Sequence, residues 1–367
     1  MPTRLQLPQG ASCFSFDEAR ARRALEAQVV STFEGWGYDE IVPPLFDDAA
    51  TFDPSLASKL YTFTGREGTT LALRPDFTSL VAKIAAGRLR HVEAPLRLYY
   101  SGEVVRYEPP RAGRQSEFHQ MGLEFLGGGG PVADIEVMAI AIECLEAVGV
   151  TDFVIALGHA GVVTSLLDEA GFPVEDSRRK VVVKSLSRRD PRAVADALAG
   201  VGGSELARLA LVGLAEDDGI RLSLDQARTA LGGIERARAA LDDLEAVTNA
   251  LEDAGLGGRV ALDLSESRGL DYYTGLVFRI YGAGLGFDVG GGGRYDSLLG
   301  RLGRPMPAIG FMLGLDRLAL LVERQLGGGS GEAAPATPVA GETLGRSLQR
   351  ARDLRSSGRR IRFGGVA

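Results

Sequence analysis

Apolar residues first recur at helical spacing. Leu25, Val29 and Phe33 fall on one face of a helix that starts at Ser15, with Glu18 three residues on as a capping box, and ends at Gly35 and Gly37. Strand-like text follows at Glu40, Ile41 and Val42 and again over residues 70–73, and an amphipathic stretch covers 78–89. Alternation then governs 95–107 and 118–126, two runs joined by a segment rich in Pro, Arg and Gly. That pattern predicts an antiparallel hairpin with a long basic loop. A helix over 134–148 and a strand over 152–157 complete the first half.

The texture changes between 159 and 258, where Ala, Leu, Arg and Glu dominate with helical periodicity, clearest at Ile234, Leu241, Leu244, Val247 and Leu251. Strand signals return at 259–264 and 273–281, followed by a glycine run at 290–293, a short helix, and a strand then a helix over 308–324. Strands outnumber crossover helices, so the pattern predicts an α+β fold, an antiparallel sheet flanked by helices. The expected organisation is a core of 1–158 and 259–325, a mainly helical insertion of 159–258, a flexible linker of 326–341 and a short helix-and-strand stub of 342–367. The linker expectation rests on its Gly, Ala, Pro and Ser content.

Composition narrows the function classes. With 367 residues, 45% of them hydrophobic, the chain can bury one large core. No apolar run approaches the roughly 20 residues of a membrane span, and the first ten residues lack a charged-then-apolar signal pattern, so a soluble cytoplasmic protein is expected. Cys13 and Cys144 stand apart, and with His91, His119 and His159 they offer no metal-ligand spacing; no metal and no cofactor are expected. A net charge of −7 argues against broad, charge-driven binding of nucleic acid.

Alternate residues of a strand share a face, so Phe118-His-Gln-Met-Gly-Leu-Glu-Phe sets Gln120, Gly122 and Glu124 on one side and His119, Met121, Leu123 and Phe125 on the other. An amide and a carboxylate about 7 Å apart over bare backbone suit a small ligand bearing an amine or a cation. On this segment alone a solvated sheet face is an equal reading. Asp76 and Thr78, in Leu73-Arg-Pro-Asp-Phe-Thr, stand just before a helix, where both can reach a pocket or simply cap the helix. Arg268-Gly-Leu-Asp-Tyr-Tyr-Thr-Gly adds a carboxylate-binding fork and two tyrosines, residues that also serve as core. Arg106, Arg111 and Arg114 flank the hairpin loop and could clamp a carboxylate or phosphate, or lie solvated.

Together these segments resemble a known family over residues 5–324. Tyr99-Tyr-Ser-Gly-Glu-Val-Val-Arg, followed by Gly113-Arg-Gln-Ser-Glu-Phe-His-Gln-Met-Gly-Leu-Glu, looks like motif 2 of class II aminoacyl-tRNA synthetases in its histidyl form. Arg268-Gly-Leu-Asp-Tyr-Tyr looks like the histidine-specific motif, and Gly292-Gly-Arg-Tyr-Asp with Gly310-Phe-Met-Leu-Gly-Leu-Asp-Arg looks like the approach to motif 3 and motif 3 itself. The resemblance implies a class II synthetase-like fold and a histidine pocket formed by Asp76, Phe77, Thr78, Arg106, Gln120, Glu124, Arg268, Tyr272 and Tyr273. Asp76 and Glu124 would hold the ammonium or an imidazole nitrogen, the tyrosines the ring, and Arg268 the carboxylate. Arg114 and Arg317 match positions that contact ATP and imply a vestigial nucleotide site.

Within that family the chain looks more like the regulatory subunit of ATP phosphoribosyltransferase than like a working synthetase. After Arg324 only a linker and a stub follow, where a synthetase carries an anticodon-binding domain. Leu73-Arg-Pro-Asp places an aspartate where the synthetase has glutamate. Ala261-Leu-Asp-Leu, Tyr273-Thr-Gly-Leu-Val-Phe and Arg114-Gln-Ser-Glu-Phe also look like the regulatory paralogue. The resemblance then implies a non-catalytic chain that senses L-histidine, dimerises around residues 37–44, and joins a short-form catalytic subunit in a hetero-octamer. tRNA is not an expected partner. Arg106, Arg268 and Arg317 keep the alternative of histidine activation with ATP open.

Overall fold

The computed structural model describes residues 7–8, 10–107, 115–216, 224–266, 272–327, 337–341 and 343–366. The chain opens with α1 (Phe16–Gly35), whose Glu18 carboxylate accepts the Ser15 N–H at 3.4 Å. Then come β1 (Asp39–Glu40), β2 (Phe46–Asp48), β3 (Thr62–Thr64), β4 (Thr70–Leu73), α2 (Thr78–Ala86), the hairpin β5 (Leu96–Val105) and β6 (Glu117–Leu126), α3 (Gly130–Ala147) and β7 (Phe153–His159). Six helices follow: α4 (Ala160–Glu169), α5 (Arg178–Leu186), α6 (Pro191–Leu198), α7 (Glu205–Glu216), α8 (Leu224–Leu231) and α9 (Glu235–Asp253). The chain returns through β8 (Val260–Leu262), β9 (Leu276–Gly282), β10 (Asp288–Arg294), α10 (Leu298–Arg301), β11 (Ala308–Gly314) and α11 (Leu315–Leu326), and closes on β12 (Thr337–Gly341), α12 (Leu344–Ser356) and β13 (Ile361–Val366).

Eight strands form the main sheet in the order β1-β5-β6-β11-β10-β9-β7-β8. Its interior pairings are antiparallel, as alternation and short connections predict, while β1 with β5 and β7 with β8 run parallel. Period-two patterning carries no strand direction. The long excursion through α4–α9 is the crossover that a parallel β7–β8 pair requires. Residues 70–73 leave the main sheet for a three-stranded one, β2-β4-β3.

One apolar cluster fills the back of the sheet, where Val29 and Phe33 of α1 and Met138 of α3 meet Met121, Leu123 and Phe125 of β6; the cluster continues into Leu241 and Leu244 of α9. The six-helix excursion therefore shares the core of the sheet. A smaller cluster on the front joins Phe77, Val81, Tyr100, Leu126 and Tyr295. The sequence reading is corrected in one place. Residues 337–341, expected to be flexible linker, form a strand that pairs parallel with β13, with Val339 buried. Its partner lies beyond a whole helix, a non-local pairing that local composition cannot register. No helix among the described residues is long and apolar enough to cross a membrane.

Candidate functional site

The candidate site lies on the front of the sheet and is built in rows across four strands. Gln120 of β6 sits between Gly102 of β5 and Gly314 of β11. In the next row Gly122 lies between Tyr100 and Met312, and in the third Glu124 lies between Leu98 and Gly310, with Gly293 of β10 beyond. The glycines make room for what stands over them. A Cβ on Gly122 would approach the Tyr100 hydroxyl to 2.6 Å, one on Gly293 would meet the Tyr273 ring at 2.9 Å, and one on Gly310 would collide with the Glu124 carboxylate. Gln120 and Glu124 are 3% and 2% exposed, which overturns the solvated-face reading.

Glu124 is the electrostatic centre. The Tyr295 hydroxyl donates to it, as do those of Thr78 and Tyr100, and no ion pair with an Arg or Lys is found for it among the described residues. Burial pushes its carboxyl up to about 7; the hydroxyls of Tyr295, Thr78 and Tyr100 oppose that rise and the nearby Asp76 charge adds to it. Asp76 is also raised, chiefly by burial, against the Ser79 N–H and the Arg106 charge. Its Oδ1 accepts the Ser79 N–H at 3.0 Å, so the helix-capping role is real and sits alongside any ligand role.

Aromatic rings wall the cleft. Tyr272 stacks on Tyr295 at 5.1 Å between centroids and meets Tyr273 edge-on at 5.2 Å. The Tyr272 hydroxyl is buried, and among the described residues it makes no well-formed hydrogen bond, the Thr78 hydroxyl being the donor that acts on it. Phe77 stacks on Tyr100 at 4.2 Å with the Arg74 guanidinium 4.2 Å from its other side, and is 1% exposed. Its place is beneath Tyr100 as support. Arg106 lies over the Phe118 ring, 4.8 Å away, close enough to Asp76 to lower its carboxyl. Arg317 is further along, its guanidinium donating to the Asp288 carbonyl at 2.7 Å and carboxylate at 3.1 Å. Arg268, Arg111 and Arg114 lie outside the described residues.

Sequence reasoning missed Tyr100 and Tyr295. Tyr100 was legible in principle, because hairpin register puts it opposite Gly122. Tyr295 is held by its neighbours: Arg294 reaches behind the sheet to Asp134 through Nε at 3.0 Å and through Nη2, and to the Gly128 and Gly130 carbonyls at 3.2 and 3.1 Å. Asp296 accepts the Ala308 N–H at 2.9 Å. No group of three His, Cys, Asp or Glu residues with metal-binding geometry occurs among the described residues. A buried acid ringed by hydroxyls, a second acid, and two facing tyrosines are chemically suited to a small ligand with a cationic or hydrogen-donating head and a flat ring.

The family model for histidyl-tRNA synthetase matches residues 14–318. An ATP phosphoribosyltransferase regulatory subunit from Moorella thermoacetica is 41% identical over 365 residues, covering 96% of this chain and 90% of its own. The chain belongs to the ATP phosphoribosyltransferase regulatory subunit family. A histidine–tRNA ligase from Methanocaldococcus jannaschii is 34% identical, covering 87% of this chain and 76% of the ligase, so the regulatory subunit family and the synthetases remain close in sequence. The solved structure of an ATP phosphoribosyltransferase regulatory subunit/histidyl-tRNA synthetase from Bacillus halodurans superposes with a TM-score of 0.85 at 27% identity, over 99% of this chain and 93% of that one. The class II synthetase-like fold expected from the motifs is thereby shown, and of the two readings the regulatory subunit family is the better supported.

Proposed function

We propose that this regulatory subunit binds L-histidine in the front cleft and reports its occupancy to the catalytic subunit of ATP phosphoribosyltransferase. The observation that carries the reading is the Glu124 carboxylate, buried among hydroxyl donors and with no Arg or Lys ion pair among the described residues, which suits a cationic or hydrogen-donating ligand. Glu124 and Asp76 receive the ammonium or an imidazole nitrogen, Tyr272 and Tyr273 the ring, and Gln120 and Thr78 the remaining polar edge. Arg106 is the cation placed to take the ligand carboxylate, and the family resemblance assigns Arg268 to the same task. Inhibition follows if histidine binds one state of the assembly more tightly, since differential affinity is what shifts an equilibrium.

The assembly this implies is a homodimer whose two copies meet around residues 37–44, combined with short-form catalytic subunits into a hetero-octamer in the cytoplasm, with α4–α9 as the insertion. Arg114 and Arg317 stand as remnants of a nucleotide site. The hydrogen bonds from Arg317 to Asp288 suit a remnant. The second reading is histidine activation with ATP, favoured by the 34% identity to a histidine–tRNA ligase. Titration calorimetry with L-histidine, run beside pyrophosphate exchange with histidine and ATP, separates the two. Binding without exchange is the expected result; exchange at enzyme-like rates would replace the sensor with an enzyme.

A further inference from the structure

Arg189 lies in the turn between α5 and α6 with φ of 55°, a left-handed backbone conformation that costs a side-chain-bearing residue about 1–2 kcal/mol and glycine nearly nothing. Its guanidinium leaves the excursion and crosses to the main sheet. Nη2 meets both oxygens of Asp263 at 2.9 Å, and Nη1 donates to the Leu214 carbonyl of α7 at 3.2 Å. Asp263 in turn stands just past the end of β8, at the root of the segment that leads to Tyr272 and Tyr273. Its N–H donates to the Leu157 carbonyl of β7 at 2.7 Å, and its Oδ1 accepts both the N–H and the hydroxyl of Ser265, at 3.1 and 2.7 Å. Leu264, Ser265 and Glu266 are each no more than 4% exposed. A connection buried this deeply needs its backbone directed by partners, and Arg189 is a charged partner that reaches it from the α5–α6 turn.

We propose that Arg189 is a positioning residue for the histidine site: through Asp263 it holds the buried turn of residues 263–266, from which the chain runs on to Tyr272 and Tyr273, and so couples α5–α7 to ligand occupancy. The inference rests on the histidine reading of the cleft and adds to it a route by which occupancy is felt outside. Coupling of this kind is reciprocal, so a ligand held by Tyr272 and Tyr273 also steadies the helices tied to Asp263. The strained backbone gives the test its edge. Replacing Arg189 with glycine relieves the conformation while removing the guanidinium, so a tie that is only structural and a positioning role part company.

The experiment is L-histidine titration by calorimetry on the full chain and on Arg189→Gly, with hydrogen exchange of both chains measured with and without histidine. Expected for the variant is an unfolding midpoint close to the parent's, a Kd for histidine raised roughly tenfold, and loss of the histidine-induced protection that the parent shows over residues 178–216. Unchanged affinity in Arg189→Gly, or a parent in which histidine protects the cleft alone, overturns the proposal. Should Arg189→Gly fail to fold, Arg189→Lys takes its place, with a Kd raised a few-fold expected and parental affinity overturning the role. A parent that takes up no histidine at all brings down the histidine reading itself, an outcome visible before any variant is compared.

Discussion

The two faces of β6 treat polar groups in opposite ways. On the back, His119 is closed into a set of partners: Nδ1 lies 2.8 Å from Glu103, Nε2 lies 2.8 Å from the Ser101 hydroxyl, and that hydroxyl is 2.7 Å from Glu26 of α1. The His119 N–H donates to Asp316 of α11 at 3.1 Å, so the set ties α1, the hairpin and α11 together. On the front, Gln120 and Glu124 of the same strand face a glycine floor, and among the described residues Glu124 meets hydroxyls instead of a cation. A charge matched inside the protein is structure; a charge solvated by neutral donors is an invitation to a ligand. The strand thus separates by a single residue step what holds the fold from what the fold presents.

That contrast can be broken from the front with the largest effect. Glu124→Gln is expected to weaken L-histidine binding about a hundredfold in calorimetry, the loss of a hydrogen bond to a charged group in a buried site. The same variant exposes a pH dependence. In the folded chain Glu124 titrates near 7, above the roughly 4.3 of an exposed glutamate, so its stabilising contribution is present below the unfolded range and is lost as pH rises through 7. Thermal unfolding from pH 5 to 8 should therefore show the parent losing stability relative to Glu124→Gln, by about 3 kcal/mol at most. Equal pH profiles would mean the carboxyl is ionised throughout.

Gly122→Ala sharpens the contrast next, since its methyl must displace both the Phe311 carbonyl of β11 and the Tyr100 hydroxyl; a loss of about 1–3 kcal/mol in chemical denaturation and weaker histidine binding are expected together. On the back the two readouts should separate. His119→Gln is expected to cost about 1–2 kcal/mol of stability while leaving histidine affinity within about twofold. Smallest of all, Glu103→Gln changes a side chain 44% exposed and should cost less than about 1 kcal/mol. A back-face variant that weakened histidine as strongly as Glu124→Gln would dissolve the distinction.

Much of this was legible in the chain. Period two gave the hairpin and the two faces of β6, and helical spacing gave α1 with its buried Leu25, Val29 and Phe33. Family-like motifs named Asp76, Thr78, Gln120, Glu124, Tyr272 and Tyr273, which the fold sets on the front of the sheet near Glu124, and Phe77, which stacks on Tyr100. Tyr295 and Tyr100 escaped because their roles depend on neighbouring strands supplied from distant parts of the sequence. The parallel edges of the sheet and the strand at 337–341 escaped for the same reason, each being defined by a partner a helix or more away.

The fixing of Arg294 behind the sheet bears on how such a chain can change over generations. Arginine's donors at 294 are spent on Asp134 and on the carbonyls of Gly128 and Gly130, and a lysine, with one nitrogen, cannot span them. A drift in residues 128–134, remote from Tyr295 in sequence, would thus be inherited as a displaced Tyr295 ring. Mutations that retune ligand preference are to be sought in that segment as readily as among the residues that touch the ligand.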